Sequence, residues 1–352
     1  MEEWEDGEQQ VIKKSLSFDD ILLTPQYSDI ESRSEVDIGI DLGRGIYLDV
    51  PIISSPMDTV TETEMVVALR KLGGLGILHR YNTPQQQAKI VWWARGDIHR
   101  EAQCIGAAVG ITGDFYERAT ELVAAGATLL CIDVAHGHHS MMKRALSALR
   151  KGLGDSIHIM ASNVATLEGF NALADWGADS IRVGIGGGSI CSTRIQTGHG
   201  VPTLQSVLDC GKSDRDARLI ADGGIKNSGD IVKALAAGAD AVMIGSVLSG
   251  TKETPGPILE DNAGQEYKAY RGMASRVAQM DWRGHSSSPE GISTTVPYKG
   301  PAQNILNDLA GGIRSGLSYS GVRSISELQA RSTIIQQTNA GQFESSTHIL
   351  KG

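Results

Sequence analysis

The 352-residue chain has few cysteines, few aromatic residues and no long apolar run. The cysteines, at positions 104, 131, 191 and 210, lack the CxxC spacing of zinc and redox sites. No apolar run approaches the roughly 18 residues of a membrane-spanning helix, and the N-terminal MEEWEDGEQQ is too acidic for a secretory signal. We therefore expect reduced thiols, a cytoplasmic location and no membrane partner.

The chain also lacks an excess of positive charge. It has 32 Lys and Arg against 41 Asp and Glu, a net charge of −9 and a pI near 5.5. This balance argues against nucleic acid as a partner and favours a small ligand. Glycine, in contrast, is abundant at 42 residues and gathers at the ends of apolar runs, as in folds with many tight turns.

Eight short β-rich runs recur along the chain, mostly separated by segments of helical periodicity. The runs are 49–54, 74–79, 105–110, 129–134, 158–164, 180–185, 218–222 and 241–245. The clearest helical segments are 63–72, 115–125, 140–149, 167–176 and 229–237. The alternation predicts an α/β fold, a TIM (β/α)8 barrel, with an open doubly wound sheet as the alternative. Polar residues follow so many of these strands that we favour the barrel, where all of them face one mouth.

The remaining segments predict elaborations of a single catalytic domain, 1–352, without an inserted regulatory domain. We expect the apolar segment 15–25 to cover the bottom of the barrel. Residues 251–300 show little periodicity, which predicts a mobile flap at about 274–295. Beyond the helical pattern of 301–337, the polar tail 338–352 is expected to be ordered by a neighbouring subunit.

The stretch VGIGGGSICSTRIQTGHGVP, residues 183–202, is the strongest candidate for the chemistry. Its glycines, including Gly184, Gly186 and Gly188, allow backbone amides to approach an anion. Cys191 follows on the same loop, at the carboxyl end of a strand, and is a candidate nucleophile. A cysteine merely packed under a glycine turn is the alternative, but polar and cationic neighbours such as Thr193 and Arg194 favour a reactive thiolate.

The loops after the seventh and eighth runs predict a phosphate site. They carry ADGG and IGS, and barrels of this class commonly bind phosphate there. Backbone amides of Gly224, Gly245 and Ser246 would join Gly188 and Ser189 around one phosphate group. For any single glycine, a plain turn is the simpler explanation. The HGHH run at 136–139 has no spaced fourth ligand and is weak evidence for a metal.

Motifs along nearly the whole chain resemble the inosine-monophosphate dehydrogenase and guanosine-monophosphate reductase family. They include SFDDILLTP, SSPMDTVTE, GGLGILHR, DVAHGH, SNVAT, VGIGGGSICSTR, ADGGIKNSGDIVKALAAGADAVMIGS, YRGM, PEG, VPYKG and GGIRSGLSYSG. The resemblance implies a TIM barrel assembled as a homotetramer, in a short form that lacks the CBS regulatory domains. It also implies a nicotinamide cofactor, NADP or NAD, and a purine mononucleotide substrate, GMP or IMP.

The resemblance further implies roles for individual residues. Cys191 matches the thiolate that attacks purine C2, with Thr193 and Glu290 as its catalytic partners. Asp133, Gly184 and Gly186 match the cofactor site. A monovalent cation, with K⁺ as the candidate, would be held by Gly186, Gly188 and Cys191 together with Glu344 and Ser345 of another subunit. The substrate would contact Ser55, Asn163, Ser189, Asp222, Gly224, Gly245, Ser246, Tyr270, Gly272 and Met273.

The two branches of the family differ in what leaves purine C2. The dehydrogenase branch hydrolyses a covalent intermediate with water activated by an Arg-Tyr pair in the flap, and no such dipeptide occurs between Met273 and Glu290. The reductase branch releases ammonia with a Thr and Glu pair, which Thr193 and Glu290 match. We therefore predict GMP reductase activity, with IMP dehydrogenase as the alternative and a non-catalytic nucleotide-binding relative as a third reading.

Other features of the sequence point toward the dehydrogenase branch. The tail AGQFESSTH and the YRGM and GGIRSGLSYSG blocks resemble that branch, and Arg283 or His285 are candidates for activating water. The chain also departs from both branches, with Gly187, Ser162, Ser192 and His199 at positions that usually hold other residues.

Overall fold

Eight parallel strands pair in chain order to form a closed barrel in the computed structural model, which describes residues 12–96 and 104–345. The eighth strand pairs with the first, with Val242 beside Ile52, so no sheet edge is left open. The closed ring confirms the predicted TIM barrel over the open sheet. The strands, numbered first to eighth below, are Ile52–Ser54, Leu75–Leu78, Gly106–Val109, Leu129–Ile132, His158–Val164, Ser180–Val183, Arg218–Asp222 and Ala241–Ile244.

Helices surround the barrel and cover the outer faces of its strands. The helix Ala302–Tyr319 closes the ring by packing against Thr63–Leu72 and Ser228–Ala236. No helix within residues 12–96 and 104–345 is long and apolar enough to cross a membrane. The surrounding helices are Thr63–Leu72, Pro84–Arg95, Phe115–Ala125, Ser140–Leu153, Leu167–Asp175, Thr203–Cys210, Ser228–Ala236 and Ala302–Tyr319.

Two of these helices were not among the segments with the clearest helical periodicity. They are Pro84–Arg95 and Thr203–Cys210. Pro84–Arg95 has a weak apolar stripe because two tryptophans on it, Trp92 and Trp93, face solvent. Its start is nevertheless encoded locally: Thr83 accepts a hydrogen bond from the Gln86 amide, the Gln86 side chain accepts one from the Thr83 amide, and Pro84 occupies the first helical position.

The bottom of the barrel is closed by a β-hairpin, Ile40–Gly43 and Ile46–Leu48, rather than by residues 15–25. Leu42, Ile46 and Leu48 are buried in a cluster with barrel-interior side chains such as Met160. The prediction for residues 15–25 was therefore wrong, since the apolar pattern of a segment does not indicate which apolar surface it covers.

Residues 15–25 instead lie against the side of the barrel. The strand Ile21–Leu23 pairs antiparallel with Ile334–Gln336, and Lys233 Nζ donates a hydrogen bond of 2.9 Å to the Phe18 carbonyl. The segment thereby ties the start of the described chain to its C-terminal part. The preceding acidic residues and the end of the tail, residues 1–11 and 346–352, lie outside the described residues.

The segment 251–300 contains more regular structure than its sequence suggests. Leu259–Glu260, Glu266–Arg271 and Ser293–Pro297 form an antiparallel sheet, and Arg276–Arg283 is a helix. The side chains of Lys268 and Tyr270 on the strand Glu266–Arg271 are buried. A charged and a polar residue therefore occupy the inward positions that are apolar in a typical strand, and the sequence shows no alternating pattern there. The expected flap, 274–295, includes the helix and the start of the strand Ser293–Pro297. Its mobility stays a prediction.

The tail forms a short helix, Asn339–Glu344, capped by Thr338. Ser345 bonds Gln337 and the Gly341 carbonyl of its own segment. Part of the tail therefore has regular structure, and its ordering by a neighbouring subunit stays a prediction. The helix Ile325–Arg331 precedes this segment.

The buried His158 at the bottom of the barrel predicts a pH-dependent stability. It contacts Ser180 through Nε2, and burial lowers its pKa to about 4. An unfolded histidine has a pKa of about 6.5, so between these values the unfolded chain binds more protons and stability rises with pH. We expect roughly 3 kcal/mol of stability to be gained from acid to neutral pH through this group.

Urea unfolding of wild type and of His158→Gln across this pH range measures the effect. The slope attributed to His158 is expected to vanish in the variant and to persist in His199→Gln, whose side chain is exposed. Equal slopes in wild type and His158→Gln would contradict the assignment.

Candidate active site

The glycine-rich loop after the sixth strand packs tightly against the loop after the seventh. A side chain at Gly184 would meet the Asp222 carbonyl oxygen at 2.0 Å, so only glycine permits this approach. Gly184 and Gly186 have φ values of 148° and 80°, a region that glycine adopts without strain. The loop then leads to Cys191 and to the short helix Thr193–Thr197.

Main-chain hydrogen bonds join this loop to the end of the flap. The Ser192 amide donates to the Glu290 carbonyl at 2.9 Å, and the Ile292 amide donates to the Ile190 carbonyl at 3.0 Å. The two segments are about a hundred residues apart in the chain but form a local antiparallel pair, with Cys191 opposite Gly291. This pairing fixes Glu290 beside the cysteine loop.

A continuous hydrogen-bonded chain links the thiol to a carboxylate. Cys191 Sγ lies 3.1 Å from Thr193 Oγ1, and Thr193 Oγ1 donates to Glu290 Oε2 at 2.8 Å. The three predicted catalytic residues are therefore within contact of one another. A proton can pass from sulfur to carboxylate through the hydroxyl, or return along the same path.

Cys191 differs from the other three cysteines in its exposure to solvent. Cys104, Cys131 and Cys210 are buried, and burial raises the pKa of Cys131 to about 11 and that of Cys210 to about 12. Cys191 is partly exposed and lines a cavity. A buried thiol with a raised pKa is a poor nucleophile, so Cys191 is the cysteine placed for reaction.

A cavity of about 490 Å³ lies at the carboxyl ends of the barrel strands, with the cysteine on its wall. The three catalytic candidates and the three cofactor candidates, Asp133, Gly184 and Gly186, all line it. So do all the substrate candidates: Ser55, Asn163, Ser189, Asp222, Gly224, Gly245, Ser246, Tyr270, Gly272 and Met273. The structure thus brings together residues from six barrel loops and the flap, although it does not by itself assign their roles.

Arg182 is the residue of this region that the sequence reasoning missed. It is buried inside the barrel on the sixth strand, donates to Asp133 Oδ1 at 2.7 Å and to Asp222 Oδ2 at 2.9 Å. The arginine therefore links a cofactor candidate to a substrate candidate. A charged residue in the otherwise apolar run SIRVGI was the available signal, because a buried arginine requires carboxylate partners.

Asp222 keeps one carboxylate oxygen free of the hydrogen bonds of this network. Asn163 Nδ2, at 2.7 Å, and the Arg182 guanidinium both bond its Oδ2. Among the described residues none bonds Oδ1, and Asp222 lines the cavity. The free oxygen is therefore available to accept a hydroxyl group of a ligand.

Small residues from the loops after the first, sixth, seventh and eighth strands lie close together in the cavity wall. A side chain at Gly223 would lie 3.0 Å from the Gly188 amide nitrogen, and one at Gly245 would lie 3.2 Å from Ser55 Oγ. Ser189 Oγ lies 3.4 Å from the Tyr270 hydroxyl, whose pKa burial raises. Such clustered amides and hydroxyls suit a phosphate group.

The flap helix covers the other side of the cavity. Trp282 stacks on Tyr81, with ring centroids 5.6 Å apart, and the Tyr81 hydroxyl donates to the Met273 carbonyl at 2.7 Å. Gln279 and Arg283 of this helix line the cavity. His285, a candidate for activating water, does not line it, and its Nδ1 lies near the Arg283 carbonyl.

The proposed cation ligands are only partly brought together. Gly186, Gly188 and Cys191 line the cavity, whereas Glu344 and Ser345 are exposed and do not. Since those two were expected from another subunit, the cation site stays a prediction. Within the described residues no group of His, Cys, Asp and Glu is arranged to hold a metal ion, and His139 caps the helix Ser140–Leu153.

Comparison with known proteins identifies the family. Residues 15–348 match the family model described as the IMP dehydrogenase / GMP reductase domain. The chain belongs to this family. Its members are oxidoreductases that act on IMP or GMP with a nicotinamide cofactor, and this chain is a short form of 352 residues with no CBS domains evident.

Relatives from both branches of the IMP dehydrogenase / GMP reductase family are similar to the chain. An inosine-5′-monophosphate dehydrogenase of Nitrosopumilus maritimus is 33% identical, covering 96% of this chain and 98% of the relative. A GMP reductase of Leishmania major is 31% identical, covering 97% and 98%. Such similar values show the family and leave the branch open.

A solved structure of the family has the same fold. A cysteine-to-alanine variant of GMP reductase from Trypanosoma brucei, in complex with guanosine 5′-monophosphate, superposes with a TM-score of 0.90. The two chains are 32% identical, and the match covers 96% of this chain and 98% of that one.

Replacing Arg182 tests the buried charge network. Arg182→Met would leave the carboxylates of Asp133 and Asp222 without their cation inside the barrel, so we expect a loss of about 3–5 kcal/mol in the free energy of unfolding. Urea denaturation measures this, with Arg215→Met as the control because its ion pair with Asp175 is exposed. Similar small losses in both variants would contradict the account of the network.

Proposed function

We propose that the chain is a GMP reductase, which converts GMP and NADPH to IMP, ammonia and NADP. The observation that carries the proposal is the hydrogen-bonded chain from Cys191 through Thr193 to Glu290. It supplies a nucleophile and a proton path to the same point of the cavity. The reductase reaction needs both, and it needs no activated water.

The cavity offers groups suited to each part of a purine mononucleotide. Asp222 Oδ1 accepts the ribose hydroxyls, and the amides around Ser189, Gly224 and Ser246 bind the phosphate. The strand and turn Tyr270–Met273 form the wall against the purine. With these contacts, purine C2 faces the sulfur of Cys191.

The first half of the reaction exchanges ammonia for the enzyme sulfur. Cys191 sulfur forms a bond to C2 while its proton passes to Thr193, whose own proton passes to Glu290. The proton then returns along this path to the amino group, the C2–N bond breaks, and ammonia leaves with the bonding electron pair. The purine remains linked to Cys191.

The second half restores the thiolate. A bound nicotinamide would supply a hydride to C2. The S–C2 bond then breaks, its electrons return to sulfur and IMP is released, and the Cys191 thiolate takes up a proton before the next cycle. Asp133, Gly184 and Gly186 line the same cavity and are the candidates for holding the nicotinamide half of the cofactor. Their position fits the requirement that the cofactor and C2 share one space.

The nucleotide assay tests the function directly. Purified protein is expected to consume NADPH with GMP and to release one ammonia per NADPH, and to form no NADH from IMP and NAD. Cys191→Ala is expected to abolish the reaction. Formation of NADH from IMP and NAD, with no consumption of NADPH in the presence of GMP, would establish the dehydrogenase instead.

Removing the carboxylate tests the proton path. Glu290→Gln and Thr193→Val are expected to lower kcat by roughly 10²–10⁴-fold with little change in KM for GMP. Thr197→Val, on the same short helix, is the matched control because its hydroxyl bonds the Thr193 carbonyl and does not line the cavity. A kcat for Glu290→Gln near that of wild type would rule out the proposed path.

The dehydrogenase is the second candidate, since Arg283 of the flap lines the cavity and its cation is near enough to influence Tyr81. Burial raises the pKa of Tyr81, which opposes its use as a base. We place the non-catalytic alternative last, because the thiol, hydroxyl and carboxylate are assembled in contact.

A further inference from the structure

The VPYKG block of the sequence, residues 296–300, has no part in the chemistry described above, yet it lies beside the turn that follows the eighth strand. The Lys299 amide donates to the Gly250 carbonyl at 2.8 Å, and the Lys252 amide donates to the Gly300 carbonyl at 2.8 Å. These two main-chain bonds join the block to the end of the turn. They fix the point from which the Lys299 side chain extends.

The ammonium group of Lys299 donates to main-chain carbonyls of that turn. Its Nζ lies 3.0 Å from the Ser246 carbonyl oxygen and 3.1 Å from that of Val247. No carboxylate within residues 12–96 and 104–345 forms an ion pair with Lys299, and partial burial lowers its pKa. The positive charge at this turn is therefore not neutralised by a neighbouring carboxylate.

The same turn presents an unbonded amide to the catalytic cavity. Ser246 lines that cavity, whereas Lys299 does not. The Gly245 carbonyl accepts from the amides of Leu248 and Ser249 at 3.1 and 3.0 Å, so it points into the turn. Because C=O and N–H of a trans peptide point in opposite directions, the Ser246 amide of this peptide points away from the turn. It has no acceptor in the described part of the chain and is available to an anion.

We propose that Lys299 is a positioning residue for the phosphate of the purine mononucleotide, acting through the carbonyls of Ser246 and Val247. It holds the turn in the conformation that presents the Ser246 amide to the phosphate. Its charge, which no carboxylate neutralises, also favours the phosphate dianion on the cavity side of the turn. The inference rests on the proposed function for the placement of the phosphate beside this turn.

The flap sheet contacts this turn with two different side chains. The strand Ser293–Pro297, which leads to Lys299, pairs with the strand Glu266–Arg271, which carries Tyr270. Tyr270 lines the cavity, and a side chain at Gly245 would lie 3.5 Å from its hydroxyl oxygen. One sheet therefore places a hydroxyl inside the phosphate wall and a cation outside it.

Calorimetric binding of GMP tests this role without turnover. Lys299→Met is expected to weaken GMP binding by at least about 10-fold, because the turn loses its donor and the phosphate loses a nearby cation. Binding of guanosine, which lacks the phosphate, is expected to be unchanged. Lys299→Arg should keep most of the GMP affinity, since a guanidinium also donates to two carbonyls. Lys252→Met is the matched control, because Lys252 is exposed in the same segment and its side chain bonds neither carbonyl.

Two results of the titrations would overturn the proposal. One is equal GMP affinity in wild type and Lys299→Met. The other is an equal loss of affinity for GMP and guanosine, which would show general damage to the site and no specific effect on the phosphate. Should Lys299→Met fail to fold, Lys299→Gln takes its place, because it retains a donor but lacks the charge.

Steady-state kinetics separate phosphate positioning from a role in the chemical steps. Lys299→Met is expected to raise KM for GMP, with kcat and KM for NADPH little changed. A lower kcat at unchanged KM for GMP would contradict the assignment. Should the wild type bind GMP without consuming NADPH, the proposed function fails, while the GMP and guanosine titrations still decide this inference.

Discussion

The antiparallel pairing of the cysteine loop with the end of the flap is the contact on which the site depends. It is made by backbone groups, through the bonds between Ser192 and Glu290 and between Ile292 and Ile190. Without it, Glu290 would have no fixed position relative to Thr193, and the thiol would lack its carboxylate. The glycines of the loop also let it pass within contact of the seventh-strand loop.

The electrostatics of the mouth are organised around Arg182. A single buried guanidinium holds Asp133 and Asp222 in place, and it bonds only one of the two Asp222 carboxylate oxygens. The cost of burying this charge is offset by two carboxylates that also serve as ligand-binding candidates. Stability and the placement of two ligand-binding candidates are therefore coupled through one residue.

The barrel and most of the site were predictable from the sequence because their signals are local. Buried parallel strands read as short apolar runs, and the residues that follow such strands meet at one mouth whatever the details of packing. The candidates taken from these positions and from the family resemblance line one cavity, apart from His285, Glu344 and Ser345. Their individual roles are proposals that the nucleotide assays and variants decide.

What the sequence did not reveal depends on long-range packing. The hairpin around Leu42 and Leu48 closes the bottom of the barrel. The prediction placed residues 15–25 there because both segments are apolar and their patterns do not distinguish them. The strand Glu266–Arg271 escaped notice since Lys268 and Tyr270 point inward. Arg182 was missed because it lies in an otherwise apolar run and its two carboxylate partners are distant in the chain.

The fate of purine C2 is the most direct test of the central claim. GMP supplied with NADPH deuterated at the transferred position, and IMP supplied with NAD in oxygen-18 water, can be followed by mass spectrometry of the nucleotide products. The account predicts IMP carrying one deuterium from the first mixture and no labelled product from the second. A product that has gained oxygen-18 at C2, with no deuterated IMP, would contradict it and show that the site activates water.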